Sequence, residues 1–118
     1  MEKIKNIKKE VYKDLESYNT KKEKINYLKD VVNYGCINGV VTNLIYYADT
    51  LAFYDAHEEE INNLIDKYRK DIGYSRLEFI NSLNGNVEDI KEEKNLLAWF
   101  SYEEICREIL INDFKEDF

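Results

Sequence analysis

With 118 residues, 14% aromatics and 35% charged side chains, the chain is long enough to bury a core without disulfides or metal, and too aromatic for disorder. A formal net charge of −7 makes it a poor non-specific DNA binder. No apolar run approaches the roughly 20 residues of a membrane span and no signal peptide is visible, which points to the cytoplasm and to reduced, buried Cys36 and Cys106.

The first predicted helix repeats Ile4, Ile7, Val11, Leu15 and Tyr18 at spacings of three and four, with a lysine-rich outer face, and ends at Asn19–Thr20. Thr20 and Glu23 then form a capping box, in which hydroxyl and carboxylate satisfy each other's free backbone N–H groups. The helix it opens buries Ile25, Leu28, Val31 and Val32, and is expected to stop at Gly35. Gly35 and Gly39 read as a helix end and a close helix crossing. A phosphate loop would need more glycine and a lysine.

The most apolar stretch follows, and a central helix is predicted over residues 38–54. Val41, Leu44, Ile45, Ala48, Leu51 and Ala52 line one face, widened by Tyr46 and Phe53. A second line runs through Asn43, Tyr47, Thr50, Tyr54 and His57. It is either the edge of the core, with rings in and hydroxyls out, or a contact surface. Asp49 or Thr50 at a new cap would break it.

Asp55–Glu58 is expected to cap the next helix, with His57 exposed at its start. Its stripe is Ile61, Leu64, Ile65, Tyr68 and Ile72, its outer face Glu59, Asn62, Asn63 and Asp66, and its end Gly73. Ser75 and Glu78 form a second capping box before a short helix with Leu77, Phe79, Ile80 and Leu83, closed by Gly85. Asn86 is expected to cap the last helix, with Asp89 in its first turn. Its wide apolar face includes Ile90, Leu97, Trp99, Phe100, Tyr102, Ile105, Cys106, Ile109 and Leu110, interrupted by glutamates. The acidic tail from Asp113 is expected to fray. With no proline, repeat or linker, the whole reads as one all-α domain, residues 1–118: a compact bundle of five or six helices around helix 38–54.

No pattern in the chain calls for catalysis, a cofactor or a metal. His57 and Glu60 are an i, i+3 pair, but a di-iron bundle needs two Glu-x-x-His motifs and this chain has one histidine. Asp49 would sit about 12 Å along a helix from His57, too far to share an ion. Neither cysteine lies in a nucleophile motif, and two cysteines so far apart do not make a zinc site. The adjacent pairs Glu59–Glu60, Glu92–Glu93 and Glu103–Glu104 diverge by about 100° around a helix, which does not suit a paired acid and base.

Charge is segregated. Residues 1–30 hold nine lysines against six acids, a net of +3; residues 31–118 hold eight basic against eighteen acidic residues, a net of −10. The run Gly35-Cys36, Leu44-Ile45-Tyr46-Tyr47-Ala48-Asp49-Thr50, Phe53-Tyr54 and Glu60-Ile61, followed by Leu97-Ala98-Trp99-Phe100, Glu103-Glu104 and Arg107-Glu108, resembles small acidic helical proteins of phages and mobile elements from low-GC Gram-positive bacteria. The resemblance implies a mobile-element setting, where anti-CRISPR and anti-restriction inhibitors occur, several of them nucleic-acid mimics. By that analogy the first expectation is a non-enzymatic inhibitor, monomeric or homodimeric, of a bacterial defence protein such as a CRISPR effector or restriction nuclease. Its contacts would be Glu92, Glu93, Glu103, Glu104 and Glu108, with Tyr47, Tyr54 and His57 as an aromatic patch. A regulatory or assembly adaptor is the alternative, binding through the lysine-rich first helix or self-associating. Acids gathered on one surface would favour the first; acids balanced by cations would favour the second.

Overall fold

Local capping chemistry sets most of the helix boundaries. The computed structural model describes residues 6–38, 47–84 and 90–117, with backbone only at 34–38, 47–49 and 84. Among them run α1 (Ile7–Leu15), α2 (Lys21–Asn38), α3 (Tyr47–Ala56), α4 (Glu58–Asp71), α5 (Arg76–Asn84) and α6 (Ile90–Asn112), and no strand. The all-α bundle of six helices agrees with the sequence reading.

Both capping boxes form. Glu23 N–H donates to Thr20 Oγ1 and Thr20 N–H to Glu23 Oε1, each at 3.1 Å. Glu78 N–H donates to Ser75 Oγ at 3.1 Å and Ser75 N–H to Glu78 Oε1 at 2.8 Å. Gly73 ends α4 in the left-handed region at φ +78°, which places Gly73 N–H on the Lys70 carbonyl and Tyr74 N–H on that of Arg69, a Schellman closure. Asn6 caps α1, its side chain accepting from Lys9 N–H at 2.8 Å.

Three expectations change. α2 does not stop at Gly35 but continues to Asn38, because a single glycine is a weak stop signal that a continuing helix can override. Neither Asp55 nor His57 caps α4 with its side chain. Instead α3 runs almost directly into α4, with His57 N–H donating to the carbonyls of Phe53 and Tyr54 at 3.1 Å. The tail is tied down rather than frayed: Glu116 N–H donates to the Leu110 carbonyl at 2.8 Å, Lys29 meets Glu116 at 3.0 Å and Phe114 packs on the core.

The long helix at the centre of the described residues is α6. α6 packs against all five other helices. Its buried residues Leu97, Ala98, Ser101, Tyr102, Ile105, Cys106, Ile109 and Leu110 form two adjacent stripes of four-residue spacing, which lets neighbours press on more than one side. Of the helix predicted over 38–54, the described part is the last residue of α2 and the first turns of α3. Residues 39–46 lie outside the described residues, as do Ile4, Gly85, Asn86 and Asp89. Around α6 the fully buried Ile7, Leu28, Val31, Ile61 and Ile65 complete one core. Trp99 and Phe100 are half-buried against it. Among the described residues no helix is long and apolar enough to cross a membrane.

Candidate functional site

The glutamates of α6 do not stand as an open acidic array. Because α6 is the central helix, the flanks of its buried stripes face neighbouring elements. Glu104 keeps only 15% of its side chain exposed; it accepts from the Tyr68 hydroxyl at 3.0 Å and lies 3.6 Å from Arg107. Glu93 meets Arg76 of α5 at 3.4 Å. Glu103 and Glu108 are half-buried, leaving Glu92 as the one exposed member of the five.

Of the tyrosine–histidine line, Thr50, Tyr54 and His57 belong to the core rather than to a surface. Tyr54 is 5% exposed and His57 4%, so His57 is not the exposed helix-start residue expected from sequence. A corner between two helices turns its ring inward against Phe53, centroid to centroid 4.8 Å. His57 Nε2 lies 3.9 Å from Glu10 of α1, while Nδ1 has no hydrogen-bond partner among the described residues. Asn62 Nδ2 donates to the Tyr54 hydroxyl at 3.2 Å. Glu60, paired with His57 in the sequence reading, instead accepts the Ile7 N–H at the start of α1 at 3.0 Å, where a carboxylate suits the positive end of the helix. The Tyr47 side chain lies outside the described residues. Among those residues no group of three histidine, cysteine, aspartate or glutamate side chains is placed to hold a metal ion.

Two arrangements escaped the sequence reading. One is a polar chain through the core. The Tyr27 hydroxyl donates to that of Tyr102 at 2.7 Å, and Tyr102 donates to Asp14. It joins α2, α6 and α1. Burial raises the pKa of both tyrosines above the ordinary range, and raises that of Asp14, where Tyr102's hydrogen bond works in the opposite direction. Cys106 is buried beside them, its thiol pushed up by burial. A signal was present: Asp14 follows Ile7 by seven residues and Val11 by three, which puts it on the inner face of α1.

The other is a groove of about 330 Å³ between α1, the start of α2 and the tail, lined by Tyr12, Leu15, Glu16, Lys21, Lys24 and Phe114. Tyr12 donates its hydroxyl to Asp113, which Lys8 also meets at 3.3 Å. Burial of that hydroxyl and the Asp113 carboxylate together push the Tyr12 pKa to about 12. The same hydrogen bond holds Asp113 below the usual carboxylate range. The groove's signal in sequence was the lysine excess of the first 30 residues; its apolar floor needed the tail to fold back.

The model of a domain of unknown function, DUF7222, matches residues 4–116, nearly the whole chain. The chain belongs to the DUF7222 family. No curated protein and no solved structure matches it.

Cations distribute unevenly over this frame. In α4 to α6, Arg69, Arg76, Lys94 and Arg107 each meet a carboxylate. On α1 and α2, Lys9, Lys13, Lys21 and Lys22 are exposed and Lys24 half-exposed, and none forms an ion pair with another described residue. The molecule, net negative as a whole, thus carries a group of unpaired lysines on α1 and α2, besides the exposed Lys67, Lys70, Lys91 and Lys115.

Proposed function

We propose that the chain is a non-enzymatic adaptor or regulatory protein of a mobile-element setting. It acts in the bacterial cytoplasm by binding another protein through the lysine-bearing face of α1 and α2. The observation that carries this reading is the contrast in ion pairing. In residues 31–118 Arg69, Arg76, Lys94 and Arg107, half of the cations, meet carboxylates, whereas Lys9, Lys13, Lys21, Lys22 and Lys24 on α1 and α2 have no such match among the described residues. A charge already satisfied within the fold adds little to a partner; an unmatched group of like charge steers and orients one.

Inhibition of a CRISPR effector or restriction nuclease by nucleic-acid mimicry is the second reading. It is favoured by the net charge of −7 and by the exposed Glu58, Glu59 and Glu92. Its contact surface would centre on the first turns of α4 and α6 rather than on the five α6 glutamates, since Glu93 and Glu104 are engaged inside the fold.

Affinity capture from a lysate of a bacterium carrying defence systems separates the two. Three baits are compared: the parent, a variant with Lys9, Lys13, Lys21 and Lys22 changed to Glu, and one with Glu58, Glu59 and Glu92 changed to Lys. Circular dichroism checks that each is folded. The adaptor reading expects the captured protein to vanish with the lysine variant and persist with the glutamate variant. The reverse pattern, with a nuclease as prey, favours mimicry. Equal capture by all three overturns both.

A further inference from the structure

We infer that the groove between α1, α2 and the tail is a docking site for an acidic peptide segment of a partner protein, with one apolar or aromatic side chain inserted between Lys21 and Lys24. The inference rests on the adaptor reading above and names the site and the partner chemistry within it. The floor is apolar: Leu15 is sealed in the core at 1% exposure, and the rings of Tyr12 and Phe114 stand beside it. Its volume of about 330 Å³ lies at the small end of ligand sites, which suits one side chain with flanking backbone rather than a polymer.

Charge decides what flanks that side chain. Lys21 and Lys24 line the groove without an ion-pair partner among the described residues, and Lys22 is their exposed neighbour. Of the carboxylates nearby, Asp113 is offset by Lys8, while Glu23 faces the backbone at the start of α2 and keeps its charge. Glu23 accepts the N–H groups of Asn19 and Thr20 at 3.0 and 3.1 Å, and Asp113 is held by Tyr12 and Lys8. Glu16 lines the groove itself. Lys21, Lys22 and Lys24 against Glu16 and Glu23 leave one positive charge in excess, so the site attracts carboxylates, and Glu16 sets a modest penalty on them. Phosphate polymers are disfavoured by the field of an acidic molecule, whereas a short acidic segment feels mainly the charges within about 8–10 Å.

The test is fluorescence anisotropy with a labelled, end-capped heptapeptide, Glu-Asp-Glu-Phe-Glu-Asp-Glu, at physiological and high salt. A second peptide has alanine in place of phenylalanine. Amide NMR shifts map the site, and vesicles of anionic phospholipid are run in parallel. Binding should weaken with salt and with loss of the phenylalanine. It should fall about tenfold in Lys21→Glu/Lys24→Glu and tighten in Glu16→Gln, with shifts centred on residues 12–24 and 114. Equal binding of the alanine peptide, shifts centred elsewhere, or binding to vesicles but not to peptide would each overturn the proposal. So would association of the protein with itself at the groove in place of the peptide. If the peptide fails while lysate capture still depends on the lysines, the groove is wrong and the adaptor face stands. If capture is also indifferent to the lysines, the adaptor reading falls with it.

Discussion

The Tyr102 hydroxyl takes a hydrogen bond from Tyr27 and gives one to Asp14 on a side chain only 1% exposed. Tyr102→Phe removes both bonds while keeping the ring, so it should destabilise the fold by about 1–3 kcal/mol in urea titration. Asp14 binds its proton more tightly folded than unfolded, because burial raises its pKa from 3.8. Its contribution is therefore complete below pH 3.8 and is lost as pH rises through the folded value. Asp14→Asn should flatten that dependence while leaving stability at neutral pH unchanged or improved, as seen in denaturation curves across a pH series. The tyrosines act in the same sense at high pH. Burial, joined by Asp113 beside Tyr12 and Glu104 beside Tyr68, pushes both to about 12, and Tyr27 and Tyr102 are raised as well. Stability should hold up to the ordinary tyrosine value of 10.0 and decline above it. Tyrosinate absorbance against pH should show a late group that titrates as the helical dichroism collapses; a single ordinary titration with the helices intact would contradict these burials.

At the scale of elements, the turn from α4 to α5 rests on two residues, Gly73 and Ser75, with different roles. Gly73 supplies a positive φ in open space, so Gly73→Ala should cost about 1 kcal/mol from backbone strain alone. Ser75→Ala removes the capping hydroxyl and should cost a similar amount, about 1 kcal/mol. Thermal melts of the two variants, singly and together, check both; unchanged melts would remove the capping account of this turn. These features were legible in sequence because each is local, a hydroxyl and a carboxylate three residues apart or a glycine after a periodic stripe. What was not legible depended on distant partners. The acids Glu92, Glu93, Glu103, Glu104 and Glu108 of α6 were read as partner contacts beside its wide apolar face, yet Arg76 and Tyr68 from other helices engage two of them within the fold. The rule that a broadly apolar helix is central holds for α6, while residues 39–46 of the stretch predicted over 38–54 lie outside the described residues. His57 could not be placed without knowing that α3 and α4 meet at a tight corner. The tail lost its expected freedom to Tyr12, Lys8 and Lys29, all about a hundred residues away or nearly so in sequence.

For the whole molecule, the +3 of the first 30 residues and the −10 of the remainder become a contrast between unpaired lysines on α1 and α2 and a remainder whose described arginines are paired. That contrast was visible in sequence as a sum; which cations are uncommitted required the fold. A lysine-reactivity footprint in a bacterial lysate tests the functional claim most directly, because the chain carries its own controls. Lys67, Lys70 and Lys91 are exposed on α4 and α6, away from the proposed face. An isotopically coded amine reagent, read by mass spectrometry, compares the purified protein with the same protein in lysate. Lys9, Lys13, Lys21, Lys22 and Lys24 should lose reactivity in lysate while Lys67, Lys70 and Lys91 stay as reactive as in buffer. Protection confined to Lys67, Lys70 and Lys91, with the α1–α2 lysines fully reactive, would contradict partner binding at the lysine face.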